Sequence, residues 1–124
     1  MDYHQALKVA FASEYAYSLK AQNFHWNVEG INFRELHDLF GTIYEEVYGS
    51  IDDFAEKLRA LGAYAPGSLS RLSVLSRVED QTEPLPDGAM VAMLLEDSDK
   101  MVILLKMVYD AAESAGEHGF SNFL

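Results

Sequence analysis

The most informative feature of this chain is the segment NFHWNVEGINFRELH at residues 23–37. His25 and His37 flank a helix break, and two carboxylates, Asp52 and Glu56, lie one helical turn apart on the helix that follows. Imidazole and carboxylate groups are ligand types for iron, zinc and manganese. A tight break between antiparallel helices brings both histidines to one end of a helical bundle, so the segment predicts a metal site there.

The spacing of these residues has a second consequence. Fifteen residues separate His37 from Asp52, and a helix rises about 22 Å over that length. One ion therefore cannot bind both side chains of the same copy. If His37 and Asp52 share a site, a second copy of the chain must supply half of it.

The composition limits the classes of function open to the chain. It has 124 residues, enough for one domain, and a formal net charge of −11 from 20 acidic and 9 basic residues. That charge disfavours binding to nucleic-acid phosphates and favours attraction of cations, although a uniformly acidic solvated surface gives the same count. The absence of cysteine excludes thiolate metal sites, disulfides and cysteine nucleophiles. No signal peptide and no run of about 18 apolar residues is visible, so we expect a cytoplasmic protein without a membrane span.

Helical periodicity runs through the whole chain, which predicts a single all-α domain over residues 1–124. Three long helices and a short helix in the second connector are expected. They span about residues 2–29, 32–61, 68–76 and 87–115. The expected N-caps are Asp2, Asn32 and Asp87, and the glycines expected to end the long helices are Gly30, Gly62 and Gly116.

The apolar positions predict which helix faces are buried. In the second helix they form a stripe with a mean step of about 3.5 residues, the spacing of bundle packing. Its members are Phe33, Leu36, Phe40, Ile43, Val47, Ile51, Phe54, Leu58 and Leu61. In the first helix the recurring residues are Leu7, Phe11, Tyr15, Leu19 and Trp26, and Trp26 is expected to pack in the core.

The last long helix is apolar over most of its circumference, which predicts a position deep in a bundle or at an interface. Ser121 is the expected N-cap of a further helix, but only three residues follow it. Three long helices leave a groove where a fourth packs. The fourth helix is therefore expected to be truncated, or the groove to be filled by a partner.

Each candidate ligand also has a simpler interpretation. His25 and His37 could be hydrogen-bonded structural histidines. Asp52 and Glu56 repel one another on one helix face, and a cation would relieve that repulsion. A solvated acidic face, to which Asp53 would belong, explains the pair equally well. His4 and His118 have no evident partner in the sequence and are expected at the surface.

One turn after His37, on the same helix face, stands Gly41. Glycine offers no ligand and is expected to leave space there for water or for close approach of another helix. Glu45 lies another turn along and could reach toward the site. A carboxylate introduced by Gly41→Asp is expected to strengthen metal binding, because it would point the same way as His37.

Residues 19–62 resemble the Dps-type mini-ferritins, most specifically in the motifs around His25, His37, Asp52 and Glu56. The resemblance implies an all-α ferritin-like four-helix bundle and a homo-oligomeric hollow shell of twelve subunits. It also implies ferroxidase sites at two-fold interfaces, with these four residues as metal ligands and catalytic residues. The expected activity is oxidation of Fe(II), by hydrogen peroxide or oxygen, with storage of the Fe(III) product.

The chain departs from the family pattern at Gly41, where a carboxylate is common, so its ferroxidase activity could be impaired. It also lacks the lysine-rich tail of many DNA-binding members, and DNA binding is not expected. Two alternatives to an iron-oxidising, iron-storing protein therefore stay open. One is a non-catalytic shell or scaffold subunit with a degenerate metal site, and the other is a DNA-protecting protein.

Overall fold

The computed structural model describes residues 1–119 and, within them, consists of helices and connectors without a β-strand. The helices are α1 (Tyr3–Asn27), α2 (Phe33–Ala60), α3 (Leu69–Leu75) and α4 (Asp87–Ser114). The predicted all-α class is confirmed, as is the short helix in the second connector. In residues 1–119 no helix combines the length and the apolar character needed to cross a bilayer.

The first helix is the centre of the packing, since α2, α3 and α4 all contact it. Small side chains make these close contacts possible: Ala6, Ala10, Ala12 and Ala21 are each 1% exposed or less. Large residues from the other helices fill the space between them. These are chiefly Phe40, Phe54 and Leu58 of α2, Leu72 of α3, and Met90, Leu94, Met101, Leu104 and Val108 of α4.

Local sequence signals set most of the helix ends. The Asp2 carboxylate accepts a hydrogen bond from the Gln5 backbone N–H at 2.8 Å, as an N-cap does. Gly30 stands at the α1–α2 turn with a φ of 113°, a conformation that glycine adopts without the strain of a Cβ. The first histidine and the second are thus held on two helices joined by a short turn.

Two predicted caps differ from the structure. Asn32 does occupy the N-cap position of α2, but its side chain makes no capping hydrogen bond. The N-cap of α4 is Pro86, and Asp87 is the first helical residue. Proline suits this boundary because its ring fixes φ, here at −57°, and it has no N–H to satisfy. The Asp87 carboxylate instead accepts from the Gly88 backbone N–H.

The predicted burial is right for α2 and partly wrong for α1. Along α2 the stripe faces the core, except for Phe33, which is exposed. Leu19 and Trp26 of α1 are also exposed, and Trp26 shows 61% of its surface. The prediction that Trp26 packs in the core is therefore wrong. Phe24 and Val28 fill the core at this end of α1, so Trp26 lies on a different face and lines a shallow pocket beside the connector.

The outer face of α4 is apolar, as its sequence predicts. Leu95, Val102 and Ile103 are each at least 64% exposed. Leu95 also lines an open cavity of about 220 Å³ between α1, α2 and α4, together with Leu39 and Ile43. Ser121, the predicted start of a further helix, lies outside the described residues.

Among the described residues, the buried charged side chains Lys20, Asp97 and Glu14 each have a polar contact. The Lys20 ammonium of α1 lies 2.7 Å from the Asp97 carboxylate of α4, and both side chains are about 5% exposed. Glu14 of α1 accepts a hydrogen bond from the Ser50 hydroxyl of α2 at 3.2 Å. Burial raises the pKa of the Glu14 carboxyl to about 7, against a smaller lowering by the Ser50 hydrogen bond.

Candidate metal centre

His25, near the end of α1, and His37, in the second turn of α2, form a stacked pair. Their ring centroids lie 3.9 Å apart, and the planes differ by 21°. Both residues are half-buried. The turn through Gly30 brings the two helices together, so residues twelve positions apart in sequence come into ring contact. The structure thus brings together the two histidines that the sequence singled out.

Each histidine is hydrogen-bonded to the backbone of the other. His25 Nδ1 lies 2.6 Å from the carbonyl oxygen of His37, and His37 Nδ1 lies 2.7 Å from the carbonyl oxygen of His25. A carbonyl oxygen can only accept, so Nδ1 of each ring carries the proton and donates it. In the neutral rings both Nε2 atoms therefore keep a free lone pair, the form in which imidazole binds a metal.

Aromatic rings extend the stack on both sides. Phe33 lies parallel to His37, with centroids 5.1 Å apart, and Tyr44 lies at a tilt beside His25, 5.5 Å away. These contacts restrict the rotation of both imidazoles. The sequence indicated the histidines but not this packing, because Phe33 belongs to an apolar stripe that predicted a core position.

Of the two outcomes that the sequence predicted for Gly41, the structure shows close approach of another helix rather than space for water. A Cβ atom placed on Gly41 would lie 2.9 Å from His25 Nδ1 and 3.0 Å from His25 Cε1. The imidazole of His25 thus fills the volume beside Gly41. The stronger metal binding expected of Gly41→Asp stays a prediction, with the added condition that the new side chain would first have to displace His25.

The two carboxylates are in a different environment. Asp52 and Glu56 lie on the solvent side of α2, both exposed, as are Asp53 and Glu45. Asp52 lies fifteen residues beyond His37 on the same helix, Phe33–Ala60. About 22 Å of helix therefore separates the histidine pair from the carboxylate pair. Within residues 1–119 no three side chains of His, Asp or Glu come together as a metal-binding group. Each copy thus offers two imidazole nitrogens and, far along α2, two carboxylates.

Other residues that the sequence had drawn attention to stay apart from this pair. His118 is exposed and contacts the Glu113 carboxylate at 2.8 Å, while His4 is exposed near the start of α1. The expected surface location of His4 and His118 is therefore confirmed.

The chain matches a family model described as Ferritin-like domain over residues 4–124. It is 31% identical, over 106 residues, to the DNA protection during starvation protein of Brevibacillus brevis, a match that covers 86% of this chain and 71% of that protein. It is also 31% identical, over 115 residues, to a low temperature-induced protein of Nostoc sp.. That match covers 91% of this chain but 64% of the Nostoc protein, so the chain spans less than two thirds of that relative's length.

Solved structures with the same helix arrangement include two Dps proteins. Dps from Staphylococcus aureus superposes with a TM-score of 0.91 at 28% identity, covering 97% of this chain and 80% of that one. Dps from Bacillus brevis superposes with a TM-score of 0.92 at 28% identity, covering 98% and 81%.

Proposed function

This chain belongs to the ferritin-like family and is a Dps-type mini-ferritin, and we propose that it oxidises Fe(II) and stores the Fe(III) product in a homo-oligomeric shell of twelve subunits. The observation that supports this most directly is the reciprocal hydrogen bonding of His25 and His37. It leaves the Nε2 lone pairs available to Fe(II), which here is the substrate.

The proposed site is completed by a second copy. His25 and His37 of one copy face Asp52 and Glu56 of another, with two α2 helices antiparallel about a two-fold axis. Across a two-fold axis both copies use the same surface. His37 of the first copy therefore meets Asp52 of the second, and His37 of the second meets Asp52 of the first. The 22 Å rise between them argues for this arrangement, because one copy cannot place both groups on one ion. Neutral imidazoles and hard carboxylates together suit iron.

The proposed reaction is a two-electron reduction of hydrogen peroxide by two Fe(II) ions. Each iron ion loses one electron, and the peroxide O–O bond breaks as the oxygen atoms accept both electrons and two protons to give two water molecules. The protein holds the ions in position with His25, His37, Asp52 and Glu56, and its acidic surface attracts the cation. Oxygen is the alternative oxidant.

The test is His37→Ala, with His4→Ala as the matched control. His4 is exposed near the start of α1, away from the histidine pair. We expect His37→Ala to slow Fe(II) oxidation at least tenfold while the oligomer, measured by size-exclusion chromatography with light scattering, stays intact. His4→Ala should oxidise iron at the wild-type rate. Equal rates in wild type and His37→Ala would overturn the proposal.

One observation favours a second candidate, a shell subunit whose metal site no longer oxidises iron. Gly41 offers no carboxylate at a position where mini-ferritins commonly have one, and His25 occupies the adjacent volume. Metal analysis after anaerobic incubation with Fe(II) separates the two. A protein that retains iron and turns it over on addition of peroxide is a ferroxidase, whereas one that retains none fits the shell subunit.

A further inference from the structure

Gly41 is the residue against which the His25 imidazole rests. The glycine is buried in the middle of α2, and a Cβ there would come within 2.9 Å of His25 Nδ1. Cβ atoms essentially never approach another heavy atom so closely. A side chain at position 41 therefore requires a shift, either of the His25 imidazole or of the two helices that bring it against Gly41.

His25 cannot move without losing other contacts. Its Nδ1 donates to the His37 carbonyl oxygen at 2.6 Å, and its ring is stacked on His37 at 3.9 Å. The His37 carbonyl lies one helical turn before Gly41, so the imidazole lies directly along the α2 backbone over positions 37–41. Rotation of His25 away from this surface would break the hydrogen bond and the stack together.

We propose that Gly41 is a positioning residue, which fixes the orientation of His25 and, through the reciprocal hydrogen bonds, that of His37. The inference deepens the proposed function, because it concerns the same two histidines. A missing side chain at position 41 lets the imidazole approach the helix closely enough for Nδ1 to donate to the His37 carbonyl. Nε2 is then the ring nitrogen left for the metal.

This role gives a physical account of the departure from the family pattern at position 41. A carboxylate at that position and the observed orientation of His25 compete for the same volume. In this chain the orientation of the imidazoles is kept and the carboxylate is not. A protein-bound imidazole whose second nitrogen is held by a fixed acceptor binds metals more tightly, and loss of such an acceptor lowers affinity roughly ten- to a hundredfold.

The experiment compares Gly41→Ala with Gly49→Ala in the assembled protein. Both glycines lie within α2, but a Cβ on Gly49 meets nothing within 4 Å. Crystal structures report the orientation of His25, and calorimetric titration with Zn²⁺ reports binding without redox chemistry. We expect Gly41→Ala to lose the contact between His25 Nδ1 and the His37 carbonyl and to bind Zn²⁺ about ten- to a hundredfold more weakly. Gly49→Ala should match wild type in the orientation of His25 and in its affinity for Zn²⁺.

A double-mutant cycle separates a specific contact from a general effect on the helix. In a His25→Ala background the ring that the new Cβ would strike is gone. Gly41→Ala should then raise the thermal midpoint as much as Gly49→Ala does, because alanine is the better helix former. In the wild-type background Gly41→Ala should raise the thermal midpoint less than it does in the His25→Ala background, or should lower it. An equal effect of Gly41→Ala in both backgrounds would overturn the proposal.

These outcomes are independent of whether the protein oxidises iron. A Gly41→Ala variant with His25 unmoved in the crystal would disprove the positioning role, even if wild type is an active ferroxidase. Conversely, a displaced His25 with weaker Zn²⁺ binding supports the positioning role, even if wild type oxidises no iron.

Discussion

The buried carboxyl of Glu14 makes part of the free energy of unfolding depend on pH, and Glu14→Gln should remove that part. Glu14 is 7% exposed and accepts one side-chain hydrogen bond, from Ser50. Burial disfavours the charged form, so the pKa of the folded protein is raised from 4.5 to about 7. Glutamine has nearly the same shape, can still accept from Ser50 and carries no charge at any pH.

The sign and size of the effect follow from proton linkage. Between the unfolded value of 4.5 and the folded value of about 7, the folded state holds a proton that the unfolded state has lost. The contribution of Glu14 to the free energy of unfolding is therefore greatest below pH 4.5, and it is lost as the pH rises to about 7. Complete ionisation costs the folded state roughly 3 kcal/mol relative to acid pH. From about pH 5 to pH 8, the advantage of Glu14→Gln over wild type should grow by roughly 2.5 kcal/mol.

Urea denaturation of both proteins at the two pH values, at one fixed protein concentration, measures this difference. Glu83→Gln is the control, since Glu83 is exposed in the connector before α4. The free energy of unfolding of this variant should differ from that of wild type by the same amount at both pH values. If the stability advantage of Glu14→Gln over wild type stays constant with pH, or shrinks toward pH 8, the Glu14 carboxyl does not have a raised pKa in the folded protein.

Three further outcomes are expected. Lys20→Met should lower the free energy of unfolding by about 3 kcal/mol in urea titrations, because it removes the cation 2.7 Å from the buried Asp97 carboxylate and leaves, among residues 1–119, Lys100 at 3.9 Å. A loss below about 1 kcal/mol would show that the pair is well hydrated. His37→Ala should abolish most Fe(II) oxidation in stopped-flow measurements, as argued above. Duplex DNA should show no electrophoretic shift with this chain in EDTA at about 150 mM salt, since a net charge of −11 opposes phosphate binding; a clear shift would contradict this.

Local signals made the helices predictable. Each observed helix begins and ends within two residues of its expected position, because the apolar repeat, the Asp2 cap and the glycines that follow the long helices act over a few residues. Trp26 was mispredicted for a non-local reason. The first helix contacts three others, so apolar spacing along it does not identify a single buried face.

The chemistry of the candidate site was predictable in part. Residue type and spacing singled out His25 and His37, and the structure stacks them. The contact of His25 with Gly41 depends on side-chain rotation and on the approach of two helices, which spacing does not reveal. Glu14 gave no signal either, because an acidic residue in a helix is usually solvated. The assignment of Asp52 and Glu56 as ligands stays a prediction.

Mixing two inactive variants tests whether the iron site is shared between two copies of the chain. One carries His25→Ala and His37→Ala, and the other carries Asp52→Asn and Glu56→Gln. In a mixed two-fold pair one of the two sites receives four intact ligands, and random pairing in equal amounts leaves about a quarter of all sites complete. Co-assembled shells, verified by mass spectrometry of differently tagged subunits, should therefore regain about a quarter of the wild-type rate of Fe(II) oxidation. Mixed shells as inactive as either variant alone would show that the iron site is not built from His25 and His37 of one copy and Asp52 and Glu56 of another.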